Sequence, residues 1–167
     1  MMIEGEASRH TSSGDAIRLM TARDLGEVVE LEAAARLSAW GVDGYEAELT
    51  NEDAIVRVID ASLLEPSCTV NHRIAAFAAA RVVMDELHIT NIAVRREARR
   101  RGLGGLLVRH LMQSALQRGV RWAVLEVRES NVDARRLYER HGFEITGRRH
   151  GYYCNPPEDA LIMARLI

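Results

Sequence analysis

Arginines and glycines crowd the segment from Arg95 to Gly105 in a pattern that is typical of a phosphate-binding site. Five arginines lie between Arg95 and Arg101, and Gly102-Leu103-Gly104-Gly105 follows them. Glycines let the backbone approach an anion, and the free amides and dipole of a helix N-terminus attract negative charge. Because an apolar strand pattern ends at Val94 and a long helical pattern begins at Leu103, we predict that this segment binds a pyrophosphate.

Three other kinds of segment share parts of this pattern. A solvated basic turn before an ordinary amphipathic helix needs the same residues. A nucleic-acid contact is disfavoured, because the arginines lie in one loop without interleaved aromatic residues. In a dinucleotide-binding site, Glu126 would stand at a suitable distance downstream of the glycines to be the acidic residue of that motif. However, Leu107 stands where its third glycine belongs, and only about 60 residues follow, too few for a doubly wound sheet.

Apolar periodicity predicts the elements that position this segment. Strands are expected over residues 16–20, 54–59, 74–84, 87–94, 122–127, 143–146 and 160–166, and helices over 21–37, 44–49, 103–119 and 131–142. Thr21, with Asp24 three residues on, predicts a helix N-cap, and glycines 119 and 142 predict helix ends. The polar pair Asp85-Glu86 predicts a hairpin turn. This order of elements predicts an α/β fold with a mixed sheet.

The composition favours one globular domain. The chain has 167 residues, 47% hydrophobic and 28% charged, enough for a sizeable core without disulfides or metals. We expect a single domain over residues 15–167. Residues 1–14 are polar and lack the apolar stretch of a signal peptide, so they are expected to form a flexible leader. No stretch of the chain reaches the length of a membrane span.

Charge and cysteine content argue against several functional classes. The formal net charge is −2, so no global basic field favours nucleic acid, and all 22 lysine-plus-arginine residues are arginine. Cys68 and Cys154 lie far apart and match neither a disulfide framework nor a zinc spacing, which favours a reducing, cytoplasmic environment. The six histidines have no ligand spacing, and no metal site is predicted.

The arginine and glycine segment resembles a family motif. Arg99-x-x-Gly102-x-Gly104 is similar to the (Gln/Arg)-x-x-Gly-x-(Gly/Ala) motif of the GCN5-related N-acetyltransferases, the GNAT family. Its surroundings resemble the RimI-like ribosomal-protein-alanine N-acetyltransferases of that family. The matching segments are Asn91-Ile92-Ala93-Val94, Leu125-Glu126-Val127-Arg128, Ser130-Asn131, Ala134 to Phe143, Arg148-Arg149, Tyr152-Tyr153 and Glu158-Asp159-Ala160.

This resemblance is close from about Ile74 to the C-terminus and loose over residues 16–54. It implies the GNAT acyl-CoA N-acyltransferase fold, a central, twisted, mostly antiparallel sheet flanked by helices. It also implies acetyl-coenzyme A as the acetyl-donor cosubstrate.

The resemblance assigns residues to the cosubstrate. Backbone groups of Ile92, Ala93 and Val94 would hold the pantetheine arm and polarise the thioester carbonyl. Asn131 is carried over as a further contact. The pyrophosphate would lie against Arg99, Arg100, Arg101, Gly102, Leu103, Gly104 and Gly105.

Proton transfer is assigned in the same way. Glu126 matches the family's proton acceptor, and the end of an apolar strand would place its carboxylate in a cleft. The alternative is a surface carboxylate paired with Arg128 or Arg121. Tyr138 matches the family's proton donor to the leaving thiolate. It also shares a helix face with core positions, and both roles are compatible, because a tyrosine can bury its ring and present its hydroxyl.

The implied acceptor is a protein N-terminus, in particular the N-terminal alanine of the small-subunit ribosomal protein numbered eighteen. A small amine or a lysine side chain is an alternative acceptor, and a non-catalytic acyl-coenzyme A sensor would keep the same fold. Gly151 and Cys154 stand where RimI-like sequences more often have Asn and Pro, so the resemblance determines the cosubstrate better than the acceptor. An acidic set near Trp40 would either attract a basic peptide or form a solvated helix face: Asp43, Glu46, Glu48, Glu52 and Asp53.

Overall fold

A seven-stranded sheet forms the centre of the protein. A computed structural model describes residues 16–64 and 72–167. The predicted leader, residues 1–14, lies outside the described residues, as does Cys68.

The sheet is antiparallel except for one pair of strands. Its strands are β1 (Ile17–Leu19), β2 (Ala54–Asp60), β3 (Ile74–Val83), β4 (Glu86–Val94), β5 (Trp122–Arg128), β6 (Glu144–Cys154) and β7 (Pro157–Leu166). Their order across the sheet is β1-β2-β3-β4-β5-β7-β6. Only β4 and β5 run parallel to each other. The predicted α/β fold with a mostly antiparallel sheet is confirmed.

Two pairs of helices cover the two faces of the sheet. The helices are α1 (Leu25–Ala34), α2 (Gly41–Leu49), α3 (Leu103–Gln117) and α4 (Val132–Arg140). The buried core around α1 and α2 includes Phe77 and Ala79 of β3, and the core around α3 and α4 includes Ala78 and Ala80. Because successive strand residues point to opposite faces, the two helix pairs lie on opposite sides of the sheet. The small alanines of β3 thus belong to a strand that is covered on both faces.

Several element ends follow the sequence signals. The Thr21 amide donates to the Asp24 carboxylate at 2.8 Å, in a short 3₁₀ turn that leads into α1. Asn131 caps α4 by accepting the Ala134 amide. Gly119 and Gly142 follow α3 and α4 with φ of 74° and 79°, the left-handed conformation that favours glycine at a helix end.

The first two helices and the hairpin turn differ from their predicted bounds. α1 ends at Ala34, before the predicted Leu37, because Arg36 adopts a left-handed φ of 55°. No glycine or proline marks that end in the sequence. α2 begins at Gly41 rather than Gly44. The turn between β3 and β4 consists of residues 84 and 85 rather than the predicted Asp85-Glu86 pair.

β6 is much longer than predicted. Its expected range was 143–146, whereas the strand runs from Glu144 to Cys154 and β7 already begins at Pro157. The pairing with β7 shifts register twice, between Ile145 and Gly147 and between Arg149 and Tyr153. Because β6 is also exposed on both faces over most of its length, it lacks the alternation that identifies a strand in a sequence.

Candidate active site

β4 and β5 pair at one end and diverge at the other. Their parallel register covers four residue pairs and ends at Ile89 and Leu125. Thr90 then forms a bulge, because it is an extra residue in the pairing of β4 with β3. Bulges bend a strand and interrupt its ladder of hydrogen bonds. The result is an opening in the middle of the sheet that begins at Thr90 on one side and at Glu126 on the other.

A cleft occupies this opening. Residues 89–92 of β4, 126–128 of β5, 35–38 between α1 and α2, Asn131, Ala134 and Tyr138 of the α4 region and Tyr153 of β6 line it. Four residues of the predicted site therefore come together here: Ile92, Glu126, Asn131 and Tyr138. Backbone groups of β4 beyond Ile89 lack a β5 partner, so they are available to a bound molecule.

Glu126 reaches the cleft from β5 with 31% of its side chain exposed. Its Oε1 atom lies 3.1 Å from Nε of Arg149 in β6. The expected alternative partners, Arg128 and Arg121, are not the ones observed, since Arg128 pairs with Glu158 at 3.1 Å. Glu126 is thus a partly solvated carboxylate that can accept a proton from a molecule in the cleft.

Tyr138 belongs both to the core and to the cleft. Its side chain is 8% exposed and packs with the ring of Phe143, at 5.8 Å between ring centroids. Burial raises the pKa of Tyr138 above its usual value of 10. The phenol therefore stays protonated at neutral pH and is available as a proton donor to the cleft.

A second tyrosine forms the β6 side of the cleft. The ring centroid of Tyr153 lies 4.0 Å from the guanidinium carbon of Arg128, a distance typical of a cation–π contact. Burial raises the pKa of Tyr153 to about 12. Glu158 accepts the Ser130 amide at 2.6 Å and pairs with Arg128, and these contacts lower its pKa. The end of β5 is thereby fixed to the hairpin of β6 and β7.

The predicted pyrophosphate segment lies between the end of β4 and the start of α3. Arg100 and Gly102 are both left-handed, with φ of 61° and 78°. The Leu106 amide is the first to bond back into the helix, to the Gly102 carbonyl at 2.9 Å, so the amides of the preceding turn lack an intrahelical acceptor. Such a turn at a helix N-terminus, together with the exposed arginines 99–101, fits a diphosphate.

The three glycines of this segment serve different needs. A Cβ atom on Gly102 would meet nothing within 4 Å, so its glycine is required by the positive φ. A Cβ atom on Gly104 would lie 3.1 Å from Leu137, and one on Gly105 would lie 3.0 Å from His141. Glycines 104 and 105 therefore allow close packing of α3 against α4, which the sequence analysis did not anticipate.

The remaining residues assigned to the cosubstrate have structural contacts as well. Ala93 is buried against the α1 and α2 side, and Val94 packs against the α3 and α4 side. The Val94 carbonyl accepts a hydrogen bond from Nε of Arg99 at 3.2 Å, which folds the arginine segment back onto β4. The side-chain oxygen of Asn131 is engaged by the Ala134 amide at 3.1 Å.

The described part of the chain contains no metal site. No group of three or more His, Cys, Asp or Glu residues there could hold a metal ion. Across residues 16–64 and 72–167, no helix is long and apolar enough to cross a membrane. Within the acidic set near Trp40, Glu48 is buried and paired with Arg81, so it does not contribute to an exposed acidic surface.

Two arginines in or beside the cleft were not predicted as site residues. Arg36 lines it from a left-handed position, and no sequence signal marks that conformation. Arg149 reaches Glu126 from a strand whose extent was not predicted.

Comparison with known proteins identifies the family. The sequence profile of the Acetyltransferase (GNAT) family matches residues 25–143. A Bacillus subtilis protein provisionally named ribosomal protein bS18-alanine N-acetyltransferase is 36% identical over 149 residues, which are 89% of this chain and 93% of that protein. The crystal structure of the Escherichia coli ribosomal-protein-S18-alanine N-acetyltransferase superposes with a TM-score of 0.74 at 35% identity, covering 90% of this chain and 92% of that one.

A more distant structure shares the fold. Arabidopsis thaliana NAA60, in complex with acetyl-CoA, superposes with a TM-score of 0.78 at 18% identity, over 90% of this chain and 97% of that one. The chain belongs to the GNAT family of acetyltransferases. Members of this family use acetyl-coenzyme A, so the predicted cosubstrate is confirmed.

Proposed function

We propose that this protein acetylates the N-terminal alanine of ribosomal protein bS18. The proposal is supported by the names of two relatives that align with about nine tenths of the chain at 36% and 35% identity. We place the reaction in the cytoplasm, within a single domain over residues 15–167. The observation that carries the mechanism is that Glu126 and Tyr138 line the same cleft, beside the unpaired end of β4.

Glu126 acts as the general base. An N-terminal amine has a pKa near 8 and is mostly an ammonium ion at neutral pH, so it must lose a proton before it can attack a carbonyl carbon. The Glu126 carboxylate accepts that proton directly or through a water molecule. Its partial exposure in the cleft supports this role, because a molecule entering from solvent can reach it.

Tyr138 acts as the general acid. The amine nitrogen bonds to the acetyl carbonyl carbon and gives up a second proton to solvent, the carbon–sulfur bond breaks, and the sulfur leaves as a thiolate. The Tyr138 hydroxyl gives its proton to that sulfur and regains one from solvent. The position of Tyr138 in the lining of the cleft supports this assignment, and its phenol, whose pKa burial raises, carries its proton at neutral pH.

Three other sets of residues bind the donor, acetyl-coenzyme A. Backbone groups of Ile92 to Val94 bind the pantetheine arm, in place of the β5 strand that diverges from them. The turn from Arg99 to Gly105 binds the pyrophosphate through helix amides and arginine charge. Asn131 adds a contact while it caps α4.

A peptide panel tests the proposed acceptor. Peptides beginning with Ala, Ser or Met are compared with a peptide that has a blocked N-terminus and an internal lysine. We expect the alanine peptide to be acetylated fastest. Because the chain contains no lysine, lysine modification of the enzyme itself cannot contribute to the acetyl count.

Two outcomes would contradict the proposal in different ways. Faster acetylation of the blocked lysine peptide would assign the enzyme to side-chain amines. Binding of acetyl-coenzyme A without transfer to any amine would assign the protein as a sensor.

A further inference from the structure

Three buried polar side chains, one each from α1, α2 and β4, contact one another beside the cleft, on the side of the sheet that α1 and α2 cover. Glu32 of α1, Tyr45 of α2 and Asn91 of β4 are 2%, 0% and 2% exposed. The Tyr45 hydroxyl donates to Glu32 Oε1 at 2.8 Å, and Asn91 Nδ2 donates to the Tyr45 hydroxyl at 2.7 Å. Asn91 Nδ2 also lies 3.4 Å from Glu32 Oε1. We call these three residues the buried polar cluster.

The bulge in β4 is what turns Asn91 toward this cluster. Without an extra residue, positions 89 and 91 would share one face of the strand. Ile89 instead packs in the core around α3 and α4, whereas Asn91 contacts Tyr45 on the opposite face. The feature that opens the cleft therefore also places an amide in the opposite core.

Glu32 closes the segment between α1 and α2 at both of its ends. Its backbone carbonyl accepts the Leu37 amide at 3.2 Å. Its carboxylate accepts the Trp40 amide at 2.9 Å and the Gly41 amide at 3.3 Å. Residues 35–38 line the cleft. Hydrogen bonds to the Glu32 backbone carbonyl at Leu37 and to the Glu32 carboxylate at Trp40 and Gly41 thus hold this segment in place.

Burying a carboxylate costs folding free energy unless each of its oxygens accepts hydrogen bonds. Neutral amide and hydroxyl donors satisfy both oxygens of Glu32. Burial and the hydrogen bond to Glu32 raise the pKa of Tyr45, so its hydroxyl remains a donor. Tyr45 is also held by ring contacts with Trp40 and Phe77.

We propose that the buried polar cluster of Glu32, Tyr45 and Asn91 positions the acceptor: it holds residues 35–38 at a fixed distance from β4 and so sets the width of the cleft for the incoming amine. This inference rests on the proposed function, because it assigns residues 35–38 to the acceptor side. The donor contacts from Arg99 to Gly105 lie at the start of α3, and none of these residues lines the cleft beside residues 35–38. The three residues are positioning residues, and none of them reacts.

Two matched substitutions test the proposal. Glu32→Gln replaces one carboxylate oxygen by an NH₂ group, which cannot accept the Trp40 or Gly41 amide. Glu48→Gln makes the same change in a carboxylate of α2 that is also buried but pairs with Arg81, outside the lining of the cleft. Tyr45→Phe is a milder change, because it removes only the hydroxyl and keeps the ring.

The measurements are the KM for the best acceptor of the peptide panel and the dissociation constant of acetyl-coenzyme A on the same preparations. We expect Glu32→Gln to raise the acceptor KM by about tenfold and Tyr45→Phe by about threefold, because residues that are displaced from their position bind the acceptor in a less productive geometry. The dissociation constant of acetyl-coenzyme A should change less than about twofold, and Glu48→Gln should leave both quantities near the wild-type values.

Three results would overturn the positioning role. The acceptor KM of Glu32→Gln and Tyr45→Phe stays unchanged, acetyl-coenzyme A binding weakens as much as acceptor binding, or Glu48→Gln shows the same shift in acceptor KM. If the alanine peptide is not the best acceptor, bS18 specificity fails while the positioning test proceeds with the amine that is. A wild-type chain that acetylates no peptide overturns both proposals.

Discussion

Nε of Arg149 lies 3.1 Å from Oε1 of Glu126, which joins the edge strand β6 to the proposed base at the cleft. The guanidinium of Arg149 is a cation beside the carboxylate that an acceptor ammonium approaches in the proposed mechanism. The arginine side chain is 55% exposed, so it can move away at little cost. If Glu126 is the base, we therefore expect Arg149 to compete with the acceptor for its carboxylate.

Removing this competitor should improve acceptor binding. We expect Arg149→Met to lower the acceptor KM by a factor of about 1.4 to 5, because exposed ion pairs contribute roughly 0.2–1 kcal/mol. The effect should shrink at high salt, which screens the pair. Arg148→Met is the control, since Arg148 pairs with Glu129 and Asp159 instead. A higher KM in Arg149→Met would mean that Arg149 contacts the acceptor itself.

Glu126→Gln should remove base catalysis while leaving the cleft intact. We expect kcat to fall by roughly 10² to 10⁴ at neutral pH, with a smaller loss at high pH, where more of the amine is already neutral. Acetyl-coenzyme A affinity, measured by isothermal titration, should stay near wild type. Wild-type rates across the pH range would assign the base to another group.

The arginine turn should bind the donor through charge. We expect the double variant Arg100→Glu/Arg101→Glu to weaken acetyl-coenzyme A binding by at least about tenfold, because two cations beside the pyrophosphate become anions. Arg121→Glu is the control, because Arg121 is exposed beyond the opposite end of α3. Equal affinities of the double variant and the control would exclude this turn as the pyrophosphate site.

Asn131 has a capping role that can be separated from its proposed donor contact. Asn131→Ala should lower the free energy of unfolding by about 1 kcal/mol, because the Ala134 amide loses its acceptor. Asn131→Asp should keep the cap and most of that stability. If Asn131 also contacts the donor, Asn131→Asp should still weaken acetyl-coenzyme A binding, because it replaces an amide by a negatively charged carboxylate beside an anionic molecule. Unchanged affinity in a fully stable Asn131→Asp variant would leave only the cap.

The buried tyrosines should destabilise the fold in alkali. Burial raises the pKa of Tyr45 and Tyr138 above 10, so the unfolded chain releases these protons at lower pH than the folded one. The free energy of unfolding should therefore fall as pH rises above about 10, by about 1.4 kcal/mol per pH unit for each tyrosine. Urea unfolding at several alkaline pH values measures the slope. Tyr138→Phe should make it shallower, and an unchanged slope would contradict the assignment.

The sequence predicted the elements better than their ends. α3 and α4 were correct in type and to within two residues at each end, because Asn131, Gly119 and Gly142 mark their ends by well-understood local chemistry. α1 was too long in the prediction because an arginine, Arg36, takes the left-handed conformation usually given to glycine. Backbone bonds from Arg36 to Ala33 and from Leu37 to Glu32 close that turn in the pattern of a Schellman motif, whose left-handed position usually holds glycine.

Site residues could be predicted only where a local sequence pattern or the family resemblance indicated them. The donor segment from Arg99 to Gly105 has its own spacing of arginines and glycines, so it could be identified directly. The link between Glu126 and Arg149 depends on two register shifts in the pairing of β6 with β7, which no periodicity reveals. The buried polar cluster combines residues from three separate elements, and each of them alone resembles an ordinary polar residue of a helix or strand.

The bulge at Thr90 makes the cleft sensitive to the number of residues in β4. Removing Thr90 would shift the rest of the strand by one place, and side-chain alternation would then turn Asn91 out of the core it shares with Tyr45. It would also remove the bend at which β4 leaves β5. Point substitutions in the lining leave the main-chain opening in place, so the acceptor specificity of such a protein can change in evolution one residue at a time. A deletion of a single codon in β4 would instead abolish the cleft that all of those variants share.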